Sequence, residues 1–324
     1  MSKALALAAA LTVMTAVTGA SAQTKWDMPT PYPDGNFHTR NIRDFVADIA
    51  SASGGKLQIT VHSNGSLIKA PEIKRAVQTG QVPIGEVLVS ALANEDAMFG
   101  FESTPFLAPN YAASAKLWKA ARPQVETRLD KQGLKLLYSA PWPPQGIYAK
   151  KPLAGVADLK GTKFRTYNPN TSRFAELMGA IPTTVQAAEI AQAFRTGLVD
   201  AMITSAATGV DTQAWDYLTH YYDVQAFLPQ NIVFVSKAAL EKLDAAAQKA
   251  VMEAAAKAET RGWEMSAAEN DKLVKTMADK GIKVEKPSAQ FAGELAAIGK
   301  TMTEEWLKKT GADGQAVVDS FRKM

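Results

Sequence analysis

One unit of this sequence occurs twice, and it constrains the fold more than any other feature. Residues 72–82 read EIKRAVQTGQV and residues 189–199 read EIAQAFRTGLV, identical at six of eleven positions. Each reads as a short helix, a glycine stop and the start of a strand. The 117-residue spacing is the size of a domain rather than of a solenoid repeat. Two similar α/β lobes account for the echo; so does the general likeness of such units, and the sequence leaves both open. The surrounding pattern points the same way. Residues 56–62 (KLQITVH) alternate and are β-branched, which predicts a strand. Residues 72–79 and 112–132 predict helices, each stopped by a glycine, and residues 82–89 and 134–139 predict strands. Alternating β and α segments imply largely parallel sheets with helices on their faces. Residues 244–276 read as one helix broken only by Gly262. At 33 residues it would be about 50 Å long, enough to strap two lobes together. A further helical stretch covers 290–309, and the chain ends in a short helix.

The first 22 residues read as an export signal. Lys3 supplies the positive start, residues 4–17 are apolar, and Ala20-Ser21-Ala22 is a small-x-small cleavage site. No other stretch reaches 18 apolar residues, so the mature chain is expected not to insert into a membrane. With no cysteine among 324 residues, disulfide frameworks, thiolate zinc sites and thiol nucleophiles are excluded. Export without cysteine suits a bacterial periplasm. Lys and Arg number 36 against 32 Asp and Glu, interspersed without a basic block, which argues against nucleic acid as a partner. The three histidines (His38, His62, His220) lack ligand spacing, and no cofactor motif is present; a metal bridging ligand and protein is left open. Neither a P-loop nor a nucleophile elbow occurs, so an enzyme is not expected.

Residues 160–179 (KGTKFRTYNPNTSRFAELMG) carry the most chemistry. Residues 163–166 predict a short strand, and residues 172–178 a helix after turn-forming Asn168-Pro169-Asn170. Arg165 therefore falls near the carboxyl end of a strand and just before a helix, where open α/β sheets bind ligands. A guanidinium fork matches a carboxylate bidentately. On residues alone, Arg165 reads equally as a surface ion-pair residue. Tyr32, Trp142 and Trp215, at loop positions after strands, are candidates for cleft walls or for core packing. Glu86 and Ser90 are candidates for polar contacts from the first lobe, Glu86 also for a simple pair with a lysine.

The same segment resembles the substrate-binding proteins of TRAP (tripartite ATP-independent periplasmic) transporters, the DctP family. Asp158-Leu159-Lys160-Gly161-Thr162-Lys163-Phe164-Arg165 is similar to the family's DLKGxKxR block. Gly179-Ala180-Ile181-Pro182, Glu189, Ala193, Gly197 and Val199-Asp200-Ala201 follow the next one, and Thr104-Pro105-Phe106-Leu107 its LPFL element. The resemblance runs from about Trp26 to the C-terminal helices. It implies a two-lobed α/β periplasmic-binding-protein-like fold, each lobe a mainly parallel sheet flanked by helices, with a long lobe-spanning C-terminal helix. The expected division is a signal peptide over 1–22, lobe I over 23–145, lobe II over 146–232, and a return to lobe I with strapping helices over 233–324. It also implies closure on a small organic acid and delivery to the small and large membrane subunits of an ion-gradient-driven permease. Arg165 then anchors the carboxylate, with Asn168, Gln145 and Thr204 as neutral partners. The second arginine of sialic-acid-binding members aligns with Gln145, and the family's VDGQEN reads VDAMIT, ending in Thr204. Both departures disfavour sialic acid and favour a monocarboxylate such as a 2-oxo, hydroxy or aromatic acid. Two alternatives stay open: a binding protein of an ATP-driven importer for amino acids or sugars, and a secreted enzyme on the same fold.

Overall fold

The computed structural model describes residues 23–324; the export segment expected over 1–22 lies outside the described residues. The first lobe begins with β1 (Thr24–Pro29), α1 (Phe37–Ala52), β2 (Leu57–His62), α2 (Ile73–Gln78), β3 (Ile84–Leu88), α3 (Tyr111–Asp130) and β4 (Leu134–Pro141). The chain then crosses through residues 142–145 into β5 (Gly146–Ala149), β6 (Lys163–Thr166), α4 (Pro169–Leu177), β7 (Ile181–Thr184), α5 (Ile190–Arg195), β8 (Ala201–Thr204), α6 (Ala206–Asp211) and β9 (His220–Tyr222). It returns along β10 (Gln230–Ser236) and α7 (Lys237–Glu241), and ends with α8 (Ala245–Asp279), β11 (Lys283–Glu285) and α9 (Ala289–Arg322).

In the first lobe β1 and β2 pair in parallel, and β10 lies antiparallel between β3 and β4. In the second the order is β11-β9-β5-β8-β6-β7, parallel except at β5, which runs against both neighbours. The reversed strand in each sheet, β10 or β5, is the one that enters from the other lobe. A strand arriving across the cleft comes in from the end where the local strands finish, so it must run against them.

The echoed units occupy matching places. Ile73 and Ile190 are fully buried on α2 and α5, and Gly80 and Gly197 end both units at positive φ. The strands they lead to, β3 and β8, each lie beside the crossing strand of their own lobe. The two long helices bind the lobes together. Ala247, Val251 and Ala255 of α8 pack with Trp26 and Phe45 in the first lobe, whereas Met277 packs with Tyr148 and Tyr221 in the second. In α9, Phe291 and Leu295 pack on the second lobe, and Val317 and Val318 on the first. Within α9 the backbone leaves helical geometry at Gly311 (φ 59°, ψ -134°), so the stretch is two helices meeting at a kink, in line with the helix over 290–309 and the short terminal helix expected from sequence.

Candidate functional site

Where the chain crosses between lobes, a cavity of about 130 Å³ opens. The first lobe contributes Tyr32, Lys74 and Leu88, the crossing segments Trp142, Gln145 and Pro229, and the second lobe Arg165, Tyr167, Thr204 and Thr208. Most of its wall is apolar.

Arg165 lies on β6 and Tyr167 directly follows its last residue, and both line the cavity. The Arg165 guanidinium lies over the Tyr167 ring, 4.8 Å from its centroid. Its Nε donates to the Val185 carbonyl at 2.9 Å, which fixes the head group in place. No carboxylate pairs with it, and no acceptor meets its terminal nitrogens, among the described residues. Only 3% of Arg165 is exposed. Burial lowers its pKa to about 10, still far above neutrality, so a cation stands at the cavity without a counter-ion. Burying an unpaired charge is costly, which marks such a residue as a functional candidate. Lys74, by contrast, is buried but already paired with Glu95.

The aromatic wall is held from behind. Tyr32 and Trp142 meet edge to face at 4.8 Å, and Phe37 and His38 pack on Trp142. Trp142 Nε1 donates to Asn231 Oδ1 at 2.9 Å, and the Tyr32 hydroxyl donates to the same oxygen at 3.3 Å. Asn231 Nδ2 in turn donates to Glu86 at 2.8 Å. On the other side Tyr167 donates to Gln145 Oε1 at 2.9 Å, and Gln145 Nε2 donates to the Pro143 carbonyl at 2.9 Å.

Five of the nine residues chosen from sequence therefore meet at the cavity: Tyr32, Trp142, Gln145, Arg165 and Thr204. Four do not line it. Glu86 lies on β3 with its side chain toward Thr30, Asn231 and His38, the strand face opposite Val87, which does line the cavity. Burial pushes its carboxyl up to about 7. Ser90 and Asn168 bond each other at 2.7 Å across the lobes. Asn168 also caps α4 by accepting from the Thr171 amide at 2.7 Å, which turns its side chain away from the cavity. Trp215 follows α6 and packs beside Tyr148 and Tyr221, with Lys280 over its ring, because only the first turn of α6 reaches the cavity. Tyr167 was missed, although it stands only two residues beyond Arg165; Lys74 and Thr208 carry no comparable sequence signal.

No group of His, Cys, Asp and Glu suited to a metal occurs among the described residues. No helix among them is long and apolar enough to cross a membrane.

Two α/β lobes, joined by crossing strands and enclosing a small apolar cavity with one uncompensated cation, define an extracytoplasmic-type solute-binding protein. The chain belongs to the DctP family of TRAP solute receptors: residues 31–310 match the model of the bacterial extracellular solute-binding proteins, family 7. It is 55% identical to DctP7, a Bordetella pertussis extracytoplasmic solute receptor binding pyroglutamic acid, over 92% of this chain and 99% of that one, with a TM-score of 0.91. DctP6 of the same organism, also binding pyroglutamic acid, is 49% identical over 93% and 100% of the two chains, with a TM-score of 0.92. A marine metagenome TRAP protein specific for pyroglutamate is 44% identical over 94% and 100%, with a TM-score of 0.92. A solute-binding protein of Albidiferax ferrireducens is 26% identical over 174 residues, 53% of this chain. That match spans only 51% of the relative's own length. Membership in a family of TRAP receptors replaces the ATP-driven importer as the description of the chain, and the solved relatives named above are solute receptors.

Proposed function

We propose that this protein captures a small monocarboxylate of the pyroglutamate class in the periplasm and hands it to the membrane subunits of a TRAP permease. The observation that carries this reading is the buried Arg165 fork, fixed by its Nε bond to Val185 and left without an acid partner. A ligand carboxylate supplies the missing charge through two parallel hydrogen bonds. Tyr32 and Trp142 give the ring a flat apolar wall, and Gln145, Tyr167 and Thr204 the polar contacts. The three relatives at 44–55% identity, all binding pyroglutamate, support the ligand class. Closure of the lobes about the crossing strands then excludes water from the ion pair, which strengthens it.

Thermal stabilisation tests this directly. Pyroglutamate should stabilise the protein by about 2.7 kcal/mol at a hundredfold excess over Kd. Its neutral carboxamide should not, and Arg165→Ala should abolish the shift. Equal stabilisation by acid and amide, or a full response from Arg165→Ala, would remove Arg165 as the anchor.

A further inference from the structure

We infer that the tyrosine side of the cleft, Tyr32 and Tyr167, takes a hydrogen-bond donor from the ligand, so that a carboxylate bringing its own N–H or O–H is preferred over its donor-free analogue. This rests on the carboxylate reading and extends it. It follows from where the protons of the cavity wall have gone.

Trp142 Nε1 is a donor and nothing else, so the atom of Asn231 that it meets at 2.9 Å must be the amide oxygen. The amide orientation is thereby set, and Nδ2 faces Glu86, which accepts from it at 2.8 Å. The Tyr32 hydroxyl meets the same amide oxygen, so its single proton is used there. The second tyrosine is committed in the same way. Gln145 Nε2 donates to the Pro143 carbonyl, which turns Oε1 toward Tyr167 and takes that hydroxyl's proton. Burial raises both phenols, so neither loses its proton in the neutral range. Both residues therefore offer the cavity oxygen lone pairs and no proton. Elsewhere on the wall, donors are the Arg165 fork, which the carboxylate occupies, the Lys74 ammonium, which is paired with Glu95, the Gln186 amide, and the Thr204 and Thr208 hydroxyls.

A ligand with only acceptors beyond its carboxylate would set its lone pairs against those of the tyrosines. A lactam N–H or a hydroxyl would instead complete them. Asn231 and Glu86 are positioning residues in this scheme, since they act through Tyr32.

The test keeps ligand shape constant and changes only the donor. Affinities of the purified protein are measured by calorimetry for pyroglutamate and for its ring-oxygen analogue, 5-oxotetrahydrofuran-2-carboxylate. Lactate and its O-methyl ether form a second matched pair, and Tyr32→Phe and Tyr167→Phe are measured alongside wild type. The expected result is a preference for the donor-bearing member of roughly tenfold to a hundredfold. The preference should collapse in at least one phenylalanine variant, while affinity for the lactone stays the same or rises. Equal binding of lactam and lactone, both lost in Arg165→Ala, would overturn this inference and leave the carboxylate reading standing. A preference that survives both substitutions in folded variants would also overturn it. If a variant does not fold, the wild-type ligand comparison decides alone. If no acid of the panel binds, the carboxylate reading falls and takes this inference with it.

Discussion

Arg165 joins function to instability. Its side chain is 3% exposed, with one hydrogen bond to a carbonyl and no counter-ion among the described residues. In the ligand-free protein that charge is a liability, because desolvation is uncompensated. Arg165→Met keeps much of the volume, removes the charge, and frees one carbonyl. The ligand-free melting temperature of Arg165→Met is therefore expected to equal or exceed that of wild type, with the pyroglutamate-induced shift gone. A melting temperature several degrees lower would mean that Arg165 supports the fold and is not held in reserve for a ligand. At this scale the sequence was partly legible. A strand end followed by a helix start brings an arginine to the cleft, and that depends only on local order. Which face Glu86 takes depends on the phase of β3 against the cavity, and local order does not set it. Asn168 was chosen for polar chemistry, but its side chain is used up by a helix cap and an interlobe bond. Trp215 illustrates the core-packing alternative for a large aromatic, since it stacks on the second lobe's own core.

Among elements, α8 was the most legible and also the most instructive. Residues 244–276 were expected to be helical; Asp244 is the cap, accepting from the Ala247 amide at 2.7 Å, and the helix runs Ala245–Asp279. Gly262 looked like an interruption of it. In the structure it is the point of closest approach between α8, β4 and α1. A Cβ built there would lie 2.6 Å from the Ala140 Cβ and 2.8 Å from Asn41 Nδ2. Neither neighbour can move freely, because Ala140 is in the central sheet and Asn41 donates to the Ala258 carbonyl. Glycine costs a helix about 1 kcal/mol against alanine. Overpacking of a tight core typically costs about 1–3 kcal/mol, and here the steric term should win. Gly262→Ala is accordingly expected to lower stability in chemical denaturation despite its better helix propensity. A stabilised variant would show that α8 can lift off β4 at little cost, and that the strap is looser than its packing indicates. The boundaries of β6 were legible because Gly161 precedes it and Pro169 follows it. The division of the last helical stretch was legible too, since Gly311 takes a positive φ that breaks the helix there.

The whole molecule is two lobes on a common frame. The echoed units place β3 and β8 beside the two crossing strands, so the same sequence solution is used on either side of the cleft. Because α8 and α9 pack on both lobes, opening must bend or slide these helices rather than separate two free bodies. The lobes are joined at the rims of the cleft by a few polar contacts. On one side Asn168 reaches Ser90, and Asn170 donates to the Gly100 carbonyl at 2.9 Å. On the other, Asn36 Nδ2 donates to Asp211 at 2.6 Å, linking the start of α1 to the end of α6. Burial raises the Asp211 carboxyl to about 6, so it is ionised in the neutral range and the bond is charge-assisted. A ligand shifts the open–closed balance only by binding one form better, and a contact made only on closure adds to that difference. Neither Asn36 nor Asp211 lines the cavity, and Asn36 keeps its cap to the His38 amide whatever stands at position 211. Asp211→Ala should therefore leave every cavity contact intact yet weaken ligand binding by roughly tenfold at neutral pH, the loss appearing mainly as faster dissociation. The effect should shrink as the pH is lowered through 6, where the wild-type carboxyl takes up a proton and its bond to Asn36 loses its charge. Stopped-flow dissociation across that pH range checks both parts. An unchanged off-rate would place the closure energy in the cavity and the Asn168 rim, and would make the Asn36–Asp211 bond a bystander of closure.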